Sequence, residues 1–161
     1  MGGSWNGQSS LPMKVAAVCY RRRDSGIEFL LVQTSGGGKW TFPKGSPESN
    51  LSHSQAAARE AQEEGGVRGR IEPRHFHVYL YSNGVFWKPP GVREFAVKAF
   101  LLEVRQSGRA LEPLRNPRWF AAEEARELLA KGREVKYARE LQSVVDRALD
   151  EIGKPREAAG A

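Results

Sequence analysis

One segment of the sequence carries signals for both ends of a helix, and it sets the framework around which the rest of the chain must fold. Residues 52–55, Ser-His-Ser-Gln, match the capping box of a helix N-terminus. The pair Gly65 and Gly66 supplies the left-handed residue that commonly ends a helix. The two signals together predict a helix over residues 53–64.

The segments on both sides of this helix have the composition of β-strands. Residues 13–20 and 27–33 are rich in valine, leucine, isoleucine and phenylalanine, and the polar stretch between them resembles a turn, which predicts a β-hairpin. Further extended segments are predicted over 40–42, 75–82, 93–104 and 118–120.

The strand predicted over 75–82 alternates between two kinds of side chain. One face carries Phe76, Val78 and Leu80, which we predict to be buried. The other face carries His75, His77, Tyr79 and Tyr81. The rings of this second face either stack on a nucleobase or form an outer polar face under a helix or loop. Zinc is disfavoured there because no third and fourth ligands lie at a recognisable spacing.

The C-terminal third predicts two amphipathic helices, around residues 122–129 and 138–152. Strands interleaved with helices that must cover both sheet faces predict the α/β class, an α/β/α sandwich around a mixed sheet of five or six strands. The length of 161 residues fits a single domain. We expect a flexible N-terminus over 1–12, the domain over 13–153 and a frayed tail over 154–161.

Composition limits the setting and the partners. The single cysteine, Cys19, excludes an intramolecular disulfide framework and favours a reducing, cytoplasmic environment. No apolar run approaches the roughly 18 residues of a membrane span, so no membrane association is expected. A net charge of +6 favours encounter with anions, whether nucleotides, polyphosphates or nucleic acid, without choosing among them.

Three glutamates, Glu60, Glu63 and Glu64, crowd one side of the last turn of the predicted helix. Like charges four residues apart destabilise a helix by about 0.2–0.5 kcal/mol. An anion at the negative end of the helix dipole costs about 0.3–1 kcal/mol more. A bound cation reverses the sign of both terms, and hard divalent ions prefer oxygen ligands. The cluster alone therefore fits either a metal site or a solvated acidic surface.

The residues around the cluster favour the metal site. Residues 45–67 read Gly-Ser-Pro-Glu-Ser-Asn-Leu-Ser-His-Ser-Gln-Ala-Ala-Ala-Arg-Glu-Ala-Gln-Glu-Glu-Gly-Gly-Val and closely resemble the Nudix signature G-x5-E-x7-R-E-U-x-E-E-x-G-U, where U is aliphatic. The matching positions are Gly45, Arg59, Glu60, Glu63, Glu64, Gly66 and Val67, with the small Ala61 at an aliphatic position. The segments 40–45, Trp-Thr-Phe-Pro-Lys-Gly, and 118–120, Arg-Trp-Phe, are also similar to members of this family.

This resemblance implies a fold and a set of roles. The signature would form a loop, helix and loop at the edge of a mixed sheet. The metal ligands would be Glu60, Glu63, Glu64 and the carbonyl of Gly45, with one glutamate as the candidate base toward the attacking water. Arg59 would hold a glutamate, Glu63 at i+4, by a charge-assisted hydrogen bond. The implied cofactor is Mg²⁺, with Mn²⁺ as the alternative.

The sequence departs from the signature at one position. The first glutamate of the signature, six residues after the glycine, is replaced by Leu51. In the family that residue mainly supports the site, so we expect reduced support of the site and not an inactive enzyme. Glu48, three residues earlier, either substitutes for it or is a solvated loop residue.

Other residues are candidates for contacts outside the signature. Lys44, which precedes the signature glycine, Tyr79 and the aromatic Trp87 are predicted substrate contacts. Glu94 and Glu112 are candidates for a further metal-binding glutamate, although a surface charge is the simpler explanation of each.

The sequence therefore predicts a divalent-metal-dependent hydrolase that cleaves a diphosphate linkage in a nucleoside or dinucleoside polyphosphate. The segment 40–45 resembles the branch of the family that cuts dinucleoside tetraphosphates and inositol pyrophosphates. An RNA 5′ end, a nucleotide sugar or a nucleoside triphosphate is a rival substrate. From a different class comes a catalytically impaired Nudix fold that only binds a phosphate ligand or RNA. Turnover with magnesium separates the two classes.

Overall fold

A computed structural model describes residues 11–35, 38–83 and 93–155 of the protein. Within these ranges the chain forms eight strands and three α-helices. The strands are β1 (Met13–Arg23), β2 (Gly26–Gln33), β3 (Trp40–Thr41), β4 (Lys44–Gly45), β5 (Val67–Ile71), β6 (His77–Asn83), β7 (Arg93–Ser107) and β8 (Arg118–Ala121). The helices are α1 (His53–Gly65), α2 (Ala122–Ala130) and α3 (Val135–Gly153).

Strand β1 lies at the centre of a mixed sheet. It pairs with β2 and β4 in the antiparallel sense and with β7 in the parallel sense. Strand β7 also pairs with β5 and β6, and β2 with β3 and β8, all antiparallel. The predicted hairpin is thus confirmed as β1 and β2.

Two of the strands were not predicted. Strand β4 has two residues, too few to show any alternation. Strand β5 is buried at Val67 but exposed over the three residues that follow, so its sequence, Val-Arg-Gly-Arg-Ile, lacks a period of two. The sheet is larger than predicted because both strands are held by their neighbours, β1 and β7, and not by a pattern of their own.

The alternating side chains of β1 divide the core into two layers. Val15, Ala17 and Cys19 face α1, in a cluster that includes Ala56, Ala57 and Ala61 of that helix. The intervening side chains of β1 face the other way, in a cluster with residues of α2 and α3 such as Ala125, Leu129, Leu141 and Val145. Helices therefore cover both faces, and the predicted α/β/α sandwich is confirmed.

The predicted helix is present with both of its end signals. Ser52 caps α1 by accepting the backbone N–H of Gln55, and the Gln55 side chain accepts the N–H of Ser52 in return. Gly66 ends the helix with φ 68° and ψ 23°. A side chain at Gly66 would also collide with the carbonyl oxygen of Gly108, 2.6 Å from an added Cβ. The C-terminal turn of α1 is thus held firmly against the loop that follows β7.

The predicted faces of β6 are wrong. Tyr79 and Tyr81 point into the core beneath α3, with Tyr79 only 1% exposed, whereas Val78 is 44% exposed. Tyrosine was grouped with the polar residues, yet its ring buries more apolar area than valine does. Tyr79 is therefore a core residue and cannot stack on a nucleobase as predicted.

Cys19 is fully buried, and burial raises the pKa of its thiol, as expected for a small core residue. Within the described part of the chain, no helix has the length and apolar character needed to cross a bilayer. The predicted N-terminal segment 1–12 and the tail 154–161 lie largely outside the described residues.

Candidate active site

The last turn of α1 places Glu64 against β4. Glu64 is 5% exposed, and its Oε1 accepts the backbone N–H of Lys44 at 3.3 Å. The other carboxylate oxygen of Glu64, Oε2, lies 3.6 Å from Nη2 of Arg115. Burial raises the pKa of Glu64, although the positive charges of Arg115 and Lys44 oppose the shift. The carboxylate is therefore fixed in place by two independent contacts.

Glu60 lies one turn earlier on the same face, with its carboxylate against the Cα of Gly45. A Cβ added at position 45 would overlap that carboxylate, so the close approach of the two residues requires glycine. Burial is the main cause that raises the pKa of Glu60 to about 7. The negative charges that add to the shift belong to Glu64, Glu63, Glu112 and Glu48.

The surroundings of Glu60 fit a cation. Among the described residues, no side chain forms an ion pair or hydrogen bond with the Glu60 carboxylate. A half-buried carboxylate with several negative neighbours and no bonded cation is energetically unfavourable. A divalent ion at this position would remove that cost.

The third glutamate of the cluster is held by an arginine, as predicted. The Nε of Arg59 donates to Oε2 of Glu63 at 2.9 Å, and its Nη1 donates to Oε1 of Glu48 at 3.1 Å. Both ion pairs are solvent-accessible, so they contribute little to the free energy of unfolding. Their main effect is to orient the side chains of Glu63 and Glu48. Arg59 thereby joins the loop before α1 to the acidic end of the helix.

The departure from the signature at Leu51 has a structural explanation. The partly buried side chain of Leu51 packs against the core cluster beneath α1, where a carboxylate would lose part of its hydration. The backbone N–H of Leu51 donates to the carbonyl of Glu48 at 3.2 Å in a tight turn. That turn brings the side chain of Glu48, and not residue 51, to Arg59. Glu48 is therefore more than a solvated loop residue.

The carboxylates form an open site and not a closed cage. Within the ranges that the structure describes, no three acidic, histidine or cysteine side chains converge closely enough to enclose an ion. Magnesium is commonly held by one or two carboxylates, with waters and substrate phosphates completing its shell. The all-oxygen donor set of Glu60, Glu64 and the Gly45 carbonyl fits such an ion, with Glu63 held close by Arg59.

Of the two outer glutamate candidates, the structure brings only Glu112 to the cluster. Its backbone N–H donates to the carbonyl of Glu63 at 2.9 Å, and its Oε1 accepts from Nε of Arg115 at 3.2 Å. Glu94 instead binds Lys136 and the hydroxyl of Tyr137. Arg115 contacts Glu64 as well, but no sequence pattern predicted this role, because Arg115 ends a 3-10 helix of three residues, Pro113–Arg115, which is too short to show a periodicity.

The predicted substrate contacts have different outcomes. The ammonium of Lys44 lies 4.0 Å from the ring centroid of Tyr81, beside the glutamate cluster, and burial lowers its pKa. Tyr79 is buried in the core. Trp87 lies outside the described residues. Arg133, whose guanidinium lies 5.7 Å from the same ring, was missed as a potential contact, whereas Tyr81 was considered only as one of the rings on its strand face.

Comparisons with known proteins agree with the sequence resemblance. The family model described as NUDIX domain matches residues 12–141. "Nudix hydrolase 16, mitochondrial" of Arabidopsis thaliana is 31% identical over 101 residues, 62% of this chain and 56% of that protein. "Bis(5'-nucleosyl)-tetraphosphatase [asymmetrical]" of Sus scrofa is 46% identical over 57 residues, 31% of this chain and 39% of that protein. The matches thus span about half or less of the curated relatives' lengths.

A solved structure shows the same fold. The Ap4A hydrolase of C. elegans superposes with a TM-score of 0.62 at 21% sequence identity. The superposition covers 89% of this chain and 99% of that protein.

Proposed function

Because the chain belongs to the NUDIX domain family, we propose that it is a divalent-metal-dependent hydrolase that cleaves a diphosphate linkage in a nucleoside or dinucleoside polyphosphate. The observation that carries this proposal is the Glu60 carboxylate, half-buried against Gly45 among other negative charges. A bound cation would balance the negative charge around Glu60, and the same cation would bind a phosphate of the substrate.

The residues of the site have distinct parts in the proposed reaction. Glu60, Glu63, Glu64 and the Gly45 carbonyl would hold the ion, which is Mg²⁺ or, alternatively, Mn²⁺. When bound, such an ion neutralises charge on the phosphate oxygens and lowers the pKa of water. A carboxylate of the cluster accepts the proton of the attacking water. The new bond joins the water oxygen to phosphorus, and the bridging P–O bond breaks, with its electrons on the leaving phosphate.

The relatives support a dinucleoside polyphosphate as the substrate. The pig relative is named as an asymmetrical bis(5'-nucleosyl)-tetraphosphatase, and the nematode structure as an Ap4A hydrolase. The segment 40–45 resembles the same branch of the family. A nucleotide sugar, a nucleoside triphosphate or an RNA 5′ end is a rival substrate, since the glutamate cluster specifies the linkage and not the attached group.

Leu51 is the observation that favours the second candidate function, a Nudix fold that binds a phosphate ligand or RNA without cleaving it. The contacts of Glu48 weigh against this candidate, because they give Arg59 a carboxylate partner despite the missing signature glutamate. The cytoplasmic location also stays a prediction, and the plant relative is named as mitochondrial.

Product analysis tests the proposal. The pure protein is incubated with Mg²⁺ and diadenosine tetraphosphate, nucleotide sugars, nucleoside triphosphates, inositol pyrophosphates or triphosphate-ended RNA, beside a Glu64→Gln variant. We expect metal-dependent cleavage, highest for the dinucleoside tetraphosphate, and its loss in the variant. Ligand binding without cleavage of any compound would favour the second candidate.

A further inference from the structure

Two cationic side chains from separate segments lie near the ring of Tyr81 of β6, on the face of the sheet opposite α1. Lys44 of β4 places its ammonium 4.0 Å from the ring centroid. Arg133, in the connection between α2 and α3, places its guanidinium 5.7 Å from the same centroid. Burial acts to raise the pKa of the Tyr81 hydroxyl, but the positive charges of Lys44 and Arg133, together with hydrogen bonds from their side chains, outweigh it and lower that pKa. The ammonium of Lys44 and the guanidinium of Arg133 therefore both lie near the phenol of Tyr81.

Two polar atoms beside this region lack partners. The Nη1 of Arg133 donates to the carbonyl of Leu129 at 2.7 Å. Its Nη2 is buried and has no hydrogen-bond partner in the described part of the molecule, and the same holds for the hydroxyl of the fully buried Tyr79. Folded proteins normally pair such groups. The unused guanidinium donor therefore indicates that an acceptor belongs there.

The region also carries unbalanced positive charge. Among the residues described, neither the Lys44 ammonium nor the Arg133 guanidinium has a carboxylate within ion-pair distance. Glu64 reaches Lys44 only at its backbone N–H. An ammonium, a guanidinium and a phenol together offer hydrogen-bond donors and positive charge, which is the chemistry that binds phosphate.

The geometry of β4 connects this region to the glutamate cluster. Gly45 contacts Glu60 on one face of the sheet, and the preceding side chain, Lys44, turns to Tyr81 on the other. Strand β4 has only two residues, and consecutive Cα atoms lie about 3.8 Å apart. The glutamate cluster and this cationic region are therefore anchored at adjacent residues of one short strand.

We propose that Arg133, together with Lys44 and the Tyr81 hydroxyl, forms a phosphate subsite that holds the part of a polyphosphate chain beyond the cleaved linkage. This inference rests on the proposed function, because it assigns a longer polyphosphate as the substrate of the same site. Arg133 is its new member and the source of selectivity for chains of three or more phosphates.

Binding of inorganic tripolyphosphate in the presence of a chelator tests the subsite without metal or turnover. Isothermal titration is performed with the wild type, Arg133→Gln, Arg133→Lys and Arg147→Gln, an exposed arginine of α3 as the matched control. We expect Arg133→Gln to weaken binding about tenfold or more, Arg133→Lys to weaken it less, and the control to bind as the wild type does. A dissociation constant for Arg133→Gln within twofold of the wild type would overturn the proposal.

A second variant keeps the test valid if Arg133→Gln loses its fold with its bond to Leu129. Tyr81→Phe removes one hydroxyl and keeps the ring in the core. Several-fold weaker tripolyphosphate binding by Tyr81→Phe, at an unchanged melting temperature, is the expected result. Unchanged binding by this variant would count against the subsite.

Kinetics separate the failure of this inference from the failure of the proposed function. With diadenosine tetraphosphate we expect Arg133→Gln to raise KM about tenfold and to change kcat less than threefold. Cleavage by the wild type with an unchanged KM in the variant would reject the subsite alone. Tripolyphosphate binding that depends on Arg133, in a protein that cleaves nothing, would reject the hydrolase and keep the subsite.

Discussion

The two sides of β4 carry opposite charge, and their residues come from different kinds of chain segment. On the α1 side, Glu60, Glu63 and Glu64 come from one helical turn beside Gly45. On the α3 side, Lys44, Tyr81 and Arg133 come from a strand, a second strand and an inter-helix connection. Helix geometry fixes the first group locally, whereas only the completed sheet brings the second group together.

This difference predicts that the two sides have separable functions. Substitutions on the α1 side should lower kcat and metal binding, because they change the groups that hold the ion. Substitutions on the α3 side should raise KM and weaken polyphosphate binding, as described above for Arg133.

Glu60→Gln should have the largest effect, a loss of about a hundredfold or more in kcat, because it removes the charge of a proposed metal ligand. Steady-state kinetics with saturating Mg²⁺ measure it. Glu127→Gln, an exposed glutamate of α2, is the control and should keep wild-type turnover. Wild-type kcat in Glu60→Gln would place the metal elsewhere.

Gly45→Ala should lower kcat by about ten- to a hundredfold, because the new methyl group displaces the Glu60 carboxylate. Gly153→Ala meets no atom within 4 Å of the added Cβ and serves as the control. If Gly45→Ala retains full activity at saturating metal, the contact between Gly45 and Glu60 has no catalytic role.

Glu48→Gln should lower kcat by a few-fold, because Arg59 loses one of its two carboxylate partners in an exposed setting. A double-mutant cycle checks the cause. In an Arg59→Gln background the substitution of Glu48 should have no further effect, since Glu48 acts through Arg59. Independent, additive losses would show that Glu48 acts by another route.

Leu51→Glu restores the signature, yet we expect it to leave kcat unimproved and to lower the free energy of unfolding by about 1 kcal/mol, because it puts a charge into a partly buried apolar contact. Urea unfolding provides the measurement. Leu114→Glu, at a position 93% exposed, should change stability by less than about 0.5 kcal/mol. A gain in kcat for Leu51→Glu would show that Glu48 does not replace the missing residue.

The sequence was most informative where neighbours along the chain determine the structure. The capped helix α1, the β1–β2 hairpin and the contact of Arg59 with Glu63 all depend on short spacings. The faces of β6 were inverted because Tyr79 and Tyr81 are amphipathic, and only the packing of α3 shows which face is covered. The spacing of residues along the sequence does not show which face a distant helix covers.

The missed residues of the site share one property. Arg115 and Arg133 both lie in connections between regular elements, where a charged residue produces no periodic signal. Arg115 reaches Glu64 and Arg133 reaches Tyr81 only because the sheet brings distant segments side by side. Such residues become predictable only once the strand order is known.

The affinity for Mn²⁺ in the absence of substrate, followed by electron paramagnetic resonance, tests the division between the two sides most directly. Wild type, Glu60→Gln and Arg133→Gln are compared at equal concentration. We predict at least tenfold weaker Mn²⁺ binding by Glu60→Gln and wild-type binding by Arg133→Gln. Unchanged binding by Glu60→Gln, or an equal loss in Arg133→Gln, would contradict it.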